Sequence, residues 1–512
     1  MFEALFDYLR LARAGAVMAR YDVVMPADLR ARAPWIARVA GTALRLAPGP
    51  VRRGRRPGQR LAGALEKLGP AWIKLGQFMA TRPDVIGVEA ASDLSLLKDS
   101  IPPFALSQAE RSLVEEFGED AQRLFPRLCA PVAAASMAQV HRIETPGGPR
   151  AVKILRPGVE RVIALELRAM RRAARVAAAR GAADVRRMEP VAFVETMARS
   201  LTRELDLRFE AGAASEFAEI AALDGYVCAP SVDWERTSRR VLTTDWVEGK
   251  AMTDPTVLDG VDRPDLANRI TRGFLACALD HGFFHADLHE GNMILGSDGK
   301  LVLVDFGIMG RIGPDERRFL AEILAGFLKR DYARVSQVHF EAGYVPADRS
   351  MAEFAQALRS VGEPIFGRDA REVSMGRVLL QLFDITREFG MHLRPELILL
   401  QKTMVQVEGV ARSIDPHHNI WQAAKPVVER WTRREFGPEG IARTLLGTAR
   451  DAFMRLRHLP EALDKLDAAI TRATIEPAAP APRRPAGWLW FLAGAITASA
   501  TAAGAWWLWD AH

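Results

Sequence analysis

Residues 281–307 read HGFFHADLHEGNMILGSDGKLVLVDFG. Two short, mostly apolar runs lie inside this stretch, Asn292-Met293-Ile294-Leu295 and Leu301-Val302-Leu303-Val304, with Gly296-Ser297-Asp298-Gly299 between them. Apolar runs flanking a cluster of turn formers predict a β-hairpin. A hairpin returns its outer ends to one place, so Asn292 and Asp305 meet there, with Asp287 just upstream on the loop. One amide and two carboxylates on one spot suit a hard divalent cation and the phosphates it carries.

The spacing is more specific than the composition. Protein kinases carry a catalytic loop H-R-D-x-x-x-x-N followed by D-F-G. Here His285-Ala286-Asp287 is followed by Asn292 and then by Asp305-Phe306-Gly307. That register assigns Asp287 to accept a proton from a nucleophile or to orient it. Asn292 and Asp305 would hold Mg²⁺ against the β- and γ-phosphates. A turn-capping aspartate, a turn asparagine and a solvated aspartate are each ordinary alone; the three in register argue for a site. His281, His285 and His289 stand four apart, which on a helix would face three imidazoles toward a metal. Gly282 and the Asp287–Asn292 register argue for a loop instead, where His285 and His289 orient backbone and the catalytic aspartate.

Upstream, the pattern from about Pro131 is one of short strands. Val132 to Val140 leads into a strand-like stretch, a Pro146-Gly147-Gly148 turn and a second strand, Ala151-Val152-Lys153-Ile154-Leu155. Ala-Val-Lys fits the V-A-I-K lysine that pairs the α/β phosphates and a helix glutamate. Alanines occupy the place of the glycine-rich loop that covers the phosphates in kinases. Their Cβ atoms restrict how closely the backbone can approach, which predicts nucleotide binding of altered geometry.

Residues 1 to about 100 read as helical, and Leu61–Met79 sets Lys74 and Gln77 on one helix face. Glu160–Arg180 and Pro190–Ile220 also read as helices; the second carries Glu204, Asp206 and Glu210. Glu210 is the candidate partner of Lys153, and Glu204 with Asp206 of Lys74. Solvated acids, with Asp206 pairing locally to Arg203, are the alternative. Arg240–Val247 reads as a strand running into Glu248-Gly249, suited to a hinge between lobes whose backbone meets adenine. Only Ile308–Ile312 separates Asp305-Phe306-Gly307 from a helix start at Gly313-Pro314. There is no A-P-E segment and no room for a long activation loop, so the chain looks poorly equipped to hold a peptide. Residues 317 to about 475 read as helical, with Gln401-Lys402-Thr403 in a core-packed helix.

The chain has 512 residues, 49% of them hydrophobic, enough for two or three domains and too apolar for disorder. The net charge of +6 is locally clustered at Arg52, Arg53, Arg55, Arg56 and Arg60. With no aromatic-interleaved basic groove or zinc spacing, that cluster favours anionic lipid over nucleic acid, against a plain solvated loop. Cys129, Cys228 and Cys277 are far apart and read as buried thiols in a reducing compartment. The N-terminus lacks a signal-peptide h-region. Phe2, Leu5, Phe6 and Leu9 make an amphipathic helix, read first as core-packing and second as membrane-docking.

Near the other end, Pro477, Pro480, Pro482 and Pro485 mark a stiff linker. Trp488–Trp509 is 22 residues without a charge. It would span about 33 Å as a helix, enough for a bilayer. Trp488 and Trp490 at one end and Trp506, Trp507 and Trp509 at the other form an aromatic belt, and Arg483 and Arg484 place the preceding body in the cytoplasm. Gly494/Ala498 and Ala500/Gly504 are small-xxx-small pairs of a kind an Ala-rich segment also yields by chance; self-association through them is one option, and a buried soluble helix is the alternative reading of the segment.

These residues together resemble the UbiB family of atypical kinase-like proteins (the ABC1/ADCK group), linked to ubiquinone biosynthesis. The resemblance rests on Lys74-Leu75-Gly76-Gln77 as K-x-G-Q and Ala133-Ala134-Ala135-Ser136 as the Ala-rich loop. It rests also on Glu204-Leu205-Asp206 as E-x-D, Glu210 as the αC glutamate, and His285 to Asn292 as the catalytic loop. Glu290 departs from the family's usual Pro, and Ala211-Gly212-Ala213 lacks the Asn often found after the glutamate.

The resemblance implies an α+β, two-lobed atypical protein-kinase-like fold with a helical K-x-G-Q extension and a C-terminal transmembrane helix. The corresponding spans are 1–105, a smaller lobe at 106–248, a larger lobe at 249–475, a linker at 476–487 and a membrane span at 488–509. It implies that the K-x-G-Q helices fold over the active site and occlude a peptide substrate. Asp287 would be catalytic and Asn292 and Asp305 metal-binding. Lys74, Gln77, Ala133, Ala134, Ala135, Ser136, Lys153, Glu204, Asp206 and Glu210 would line the nucleotide site. The cofactors would be ATP and Mg²⁺, with lipid-stimulated ATP hydrolysis supporting ubiquinone assembly at a bacterial inner membrane. Membrane lipid, quinone-precursor lipids and quinone-biosynthesis enzymes are the expected partners. A phosphotransferase acting on a lipid, small molecule or protein, and a nucleotide-sensing scaffold without turnover, are the competing readings.

Overall fold

The computed structural model describes residues 2–21, 23, 56–80, 86, 88–94, 97, 102–180, 189–366, 381, 385, 388–391 and 395–438. Helices α1 (Phe2–Arg20), α2 (Pro57–Leu68), α3 (Pro70–Ala80), α4 (Val88–Leu94) and α5 (Leu106–Phe117) come first. Gly69, at φ 105°, and Pro70 break what the sequence reads as one helix into α2 and α3.

Strands β1 (Pro131–Ala134), β2 (Ala138–Thr145), β3 (Gly148–Leu155) and β4 (Val241–Asp245) form an antiparallel sheet in sequence order. Helices α6 (Val159–Arg180), α7 (Pro190–Glu204) and α8 (Leu207–Asp224) lie between β3 and β4 in the chain. Strand alternation sorts the side chains to two faces. Ile143, Val152, Ile154 and Val241 share a core with Leu113 of α5 and Phe125. Met137, Ala138, Leu155 and Leu242 share another with α2, α3, α6, α7 and α8. Lys153, between Val152 and Ile154, therefore turns away from the α5 side.

The chain then crosses to a second lobe. Strand β5 (Gly249–Ala251) pairs with β7 (Met293–Gly296), which pairs with β8 (Leu301–Leu303). Residues 246–248 make the crossing, where the sequence places its hinge. Gly249 is required there, because a Cβ would stand 2.3 Å from the Leu295 carbonyl oxygen. The β7–β8 hairpin has Met293 opposite Leu303 and Leu295 opposite Leu301, and Gly299 takes φ 76° in its turn. Strand β6 (Phe283–His285) pairs with β9 (Met309–Arg311), and α10 (Pro314–Lys329) starts directly afterwards. The segment after Gly307 is thus a short strand bound to its own lobe. Helices α9 (Arg263–Ala276), α11 (Tyr332–Glu341), α12 (Met351–Phe366), α13 (Pro395–Ile414) and α14 (Ile420–Phe436) are the remaining long helices among the described residues. One core joins α8, α9, α13 and α14 to the strands around the hairpin.

Several expectations need correction. The apolar stripe of α1 is not buried: Leu5, Phe6 and Leu9 are more than half exposed. The inward face carries Asp7, fully buried, whose oxygens accept from Arg168 Nε at 2.9 Å and Arg172 Nε at 3.2 Å. That ion cluster sets the rotation of the helix and leaves the apolar residues outside. The Pro190–Ile220 helix is two helices, because Asp206 accepts from the Arg208 amide and caps α8. Cys129 is exposed and Cys228 half-buried; only Cys277 is a buried thiol, and burial pushes it up to about 12. Arg56 is not a loose basic residue, since it pairs with the buried Asp93 carboxylate; Arg52, Arg53 and Arg55 lie outside the described residues. Among the described residues no helix is long and apolar enough to cross a membrane. The linker, Arg483, Arg484 and the Trp488–Trp509 segment lie outside them.

Removing Asp7 leaves Arg168 and Arg172 without their shared carboxylate. Asp7→Ala should destabilise the docking of α1 by on the order of 2–3 kcal/mol, the arginines being partly solvated. Amide exchange should speed up in residues 2–20 and stay unchanged in β2 and β3. Equal protection of α1 in both proteins would refute the anchor.

Candidate active site

Lys153 of β3 stands at the centre of the site. Its Nζ donates to Glu210 Oε1 at 2.6 Å and to Asp305 Oδ1 at 3.0 Å. Glu210 comes from the first turn of α8, next to the buried Ala211. Asp305 follows β8 and is one of three non-glycine residues among those described with positive φ, at 62°. Such a backbone costs on the order of 1–3 kcal/mol and persists only where neighbours impose it. Here His285 Nε2 donates to the Asp305 carbonyl at 2.8 Å, and Phe306 is buried against Phe217 of α8 and His285. The three-residue contact joins the four-stranded sheet, α8 and the larger lobe.

Charge follows from that geometry. The Lys153 ammonium beside Asp305 holds its carboxyl far below the usual range, and Lys74 acts in the same direction. Burial alone would lower Lys153, but the charges of Asp305 and Glu210 outweigh it and keep the ammonium protonated. Glu210 is pushed up to about 7, chiefly by burial, with Lys153 opposing the rise.

The catalytic loop is ordered around His285. Its Nδ1 accepts from the Asp287 amide at 3.2 Å while its Nε2 donates to Asp305, which specifies one neutral tautomer. Burial lowers this imidazole, in keeping with that assignment. Asn292 is buried and its Nδ2 donates to the Asp287 carbonyl at 3.1 Å. His289 Nε2 lies 3.7 Å from Asp287 Oδ2. His281 lies elsewhere, 3.6 Å from Asp224. The three histidines do not share a face. Among the described residues no three or more His, Cys, Asp or Glu gather as a metal site.

Helix α3 brings Lys74 to the same region, where it pairs with Glu204 at 2.9 Å. Gln77 lies three residues on, half-buried. Asp206 does not join Lys74; besides capping α8 it takes Arg208 Nη2 at 2.7 Å. The expected Glu204–Asp206 pair is divided by the helix break. Ala133 and Ala134 end β1, and Ala135 uses its amide on the Ala138 carbonyl and its own carbonyl on Arg156 Nε. Ser136 is fully buried, and its hydroxyl has no hydrogen-bond partner. That orphaned group fits a loop built to meet a polar ligand.

The structure adds contacts that motif reading missed. Gln406 Nε2 of α13 donates to Asp287 Oδ1 at 3.1 Å, and Lys402 Nζ lies 3.6 Å from the same oxygen. Thr403 Oγ is 3.2 Å from the Ala286 carbonyl, and Ser413 Oγ donates to Glu290 at 2.7 Å. The available signal was the four-residue spacing of Lys402 and Gln406 within an apolar helix.

Comparison with known proteins gives two family matches. Residues 96–339 match the ABC1 atypical kinase-like domain, and residues 358–419 match the UbiB helical domain. Relatives named "Probable protein kinase UbiB" include one from Marinobacter nauticus, 37% identical over 76% of this chain and 72% of that protein. Others come from Azotobacter vinelandii and Pseudomonas fluorescens, each 36% identical over 86% of this chain and 83% of theirs. A Mycobacterium tuberculosis protein solved as a complex with erythromycin aligns with TM-score 0.49 and 23% identity, over 73% of this chain and 94% of that one.

Glu210 gives the site a pH signature. Its folded value near 7 stands above the ordinary 4.5. The stability it contributes is therefore fully present below 4.5 and is lost as pH rises through about 7. Thermal midpoints of the wild type and Glu210→Gln, measured across that range, should show the wild type losing ground as pH rises. Parallel curves would contradict the assignment.

Proposed function

The chain belongs to the ABC1/UbiB family of atypical kinase-like proteins, and from that membership we propose that it is a membrane-anchored, ATP-using enzyme that supports ubiquinone biosynthesis. The observation that carries this reading is Lys153 held between Glu210 and Asp305, with His285 tying the Asp305 carbonyl to the amide of Asp287, whose own carbonyl accepts from Asn292. A cation, two carboxylates and an amide are the groups that phosphoryl transfer requires, and the chemistry is chiefly positioning and charge neutralisation.

The residues fit the family's ATP and Mg²⁺. Asp305 and Asn292 would supply the protein's hard oxygen donors, and the remaining ligands would be phosphate oxygens and water. MgATP, when bound, supplies an electrophilic terminal phosphoryl group. Lys153 then binds phosphate oxygens while Glu210 keeps its ammonium in place. Asp287 orients the nucleophile and accepts its proton. His285 holds the backbone of both Asp287 and Asp305. Helix α3, through Lys74 and Glu204, covers the site, and the buried Ser136 hydroxyl offers a donor beneath the alanine loop.

Attachment to a bacterial inner membrane through Trp488–Trp509, contact with quinone-precursor lipids and association with their modifying enzymes belong to this proposal. They draw on the family and on the uncharged C-terminal segment. Transfer to a lipid or small molecule is the second reading. It is favoured over transfer to a protein because β9 and α10 follow Gly307 at once and leave no peptide-holding loop.

In a bacterium deleted for its own family member, the wild-type chain should restore ubiquinone, measured by extraction and mass spectrometry. Lys153→Ala and Asp305→Asn should restore less than about a tenth as much, given the size of single electrostatic contributions to catalysis. Full restoration by either variant, expressed at equal level, would replace the enzyme reading with a scaffold.

A further inference from the structure

Asp287 is held by two residues of α13, a helix from a different part of the chain. Gln406 Nε2 donates to Asp287 Oδ1, and the other end of the same amide, Oε1, is buried with no hydrogen-bond partner. A carboxylate accepts only, so Nε2 faces Asp287 and Oε1 is the free end. A buried acceptor without a donor is costly unless a ligand supplies one. Lys402, one helical turn earlier, brings an ammonium to within 3.6 Å of the same oxygen, beyond hydrogen-bond length. Its side chain keeps 29% of its surface open. Lys402 is therefore near the catalytic carboxylate without being saturated by it.

The attachment of α13 is specific along its length. Thr403 Oγ is shared between the Ala286 carbonyl and the Leu399 carbonyl of its own helix, at 3.2 and 2.8 Å. Ser413 reaches Glu290, and Val407, Val410 and Ala411 are buried in the core that contains Ala286 and Leu288. The helix cannot shift without moving the catalytic loop.

We propose that Lys402 and Gln406 are catalytic residues that specialise this site for a water nucleophile: Gln406 Oε1 and Asp287 accept the two hydrogen bonds of the attacking water, and Lys402 binds the transferred phosphoryl group. The inference rests on the ATP-using reading of the site. In the step, the water oxygen forms a bond to the terminal phosphorus as the bond from phosphorus to the bridging oxygen breaks. The bonding pair leaves with ADP, the water proton passes to Asp287, and inorganic phosphate is released. Two acceptors define the orientation of a water better than one, and a nearby cation offsets charge on the equatorial oxygens.

The test uses full-length protein in its membrane or in detergent, with MgATP and MgADP as probes. Lys402→Met should lower kcat about 100-fold and reduce the preference for MgATP over MgADP in direct binding, with Lys402→Arg recovering part of both. Gln406→Leu should lower kcat about tenfold or more while leaving that preference unchanged. Lys425→Met, at an exposed pair on α14, serves as the unaffected control. The proposal falls if Lys402→Met and Gln406→Leu stay within about twofold of wild-type kcat. It also falls if Lys402→Met weakens MgATP and MgADP equally, as a merely structural role for α13 would require. A wild type that binds MgATP without turning it over, with Lys402→Met losing the MgATP preference, would overturn the hydrolytic role alone and keep the phosphate contact. A wild type that binds no MgATP would overturn the functional reading and this one with it.

Discussion

Everything at the site depends on one ammonium shared by two carboxylates. Lys153 belongs to the four-stranded sheet, Glu210 to α8, and Asp305 to the loop leaving the β7–β8 hairpin. None of these elements is adjacent in sequence to the others. The charge balance that keeps Lys153 protonated and Asp305 ionised is also what brings the two lobes together. Removing the lysine would leave the buried Glu210 carboxyl facing the Asp305 carboxylate, which is half open to solvent, with no cation between them. The positive φ of Asp305 belongs to the same device. Its backbone is held by His285 and its side chain by Lys153, so the strained residue aims its carboxylate into the site.

Around that contact the chain adds two further connections. On one side, α3 reaches the region through Lys74 and Glu204, and it is tied behind by Trp72, whose indole donates to Glu166 at 3.0 Å. Glu166 also takes Arg10 of α1 at 2.7 Å. Polar contacts thus connect the N-terminal helix to α3, the helix that carries Lys74. On the other side, α13 grips the catalytic loop through Gln406, Thr403 and Ser413. An ordinary protein kinase would use the segment after D-F-G to hold its acceptor. Here that segment is β9, hydrogen-bonded to β6, and the space around Asp287 is organised by α13 instead.

Local chemistry was readable in the sequence, and long-range choice was not. The β7–β8 hairpin follows from its turn residues, and the approach of Asn292 and Asp287 from their register. Lys153 was legible because strand alternation and the following helix gave it one role. The partnership with Glu210 was one of several that a charged helix allows, and only the fold selects it. Asp206 went the other way: an aspartate competes for the backbone amide two residues on, and capping α8 removed it from Lys74. The N-terminal stripe shows why periodicity identifies a face without saying which way it points. A buried aspartate and two arginines reversed it. Gln406 stands 119 residues from Asp287, and no motif spacing reports such a contact.

The proposed function requires Lys153, Glu210 and Asp305 to form a working MgATP site that a membrane surface stimulates. Mg²⁺-dependent ATP turnover by the purified full-length protein, with and without anionic liposomes, beside Asp305→Asn, tests it most directly. Turnover that rises with the liposomes and disappears in the variant is the predicted result. Turnover equal in the wild type and the variant, or absent from both with and without liposomes, would contradict it.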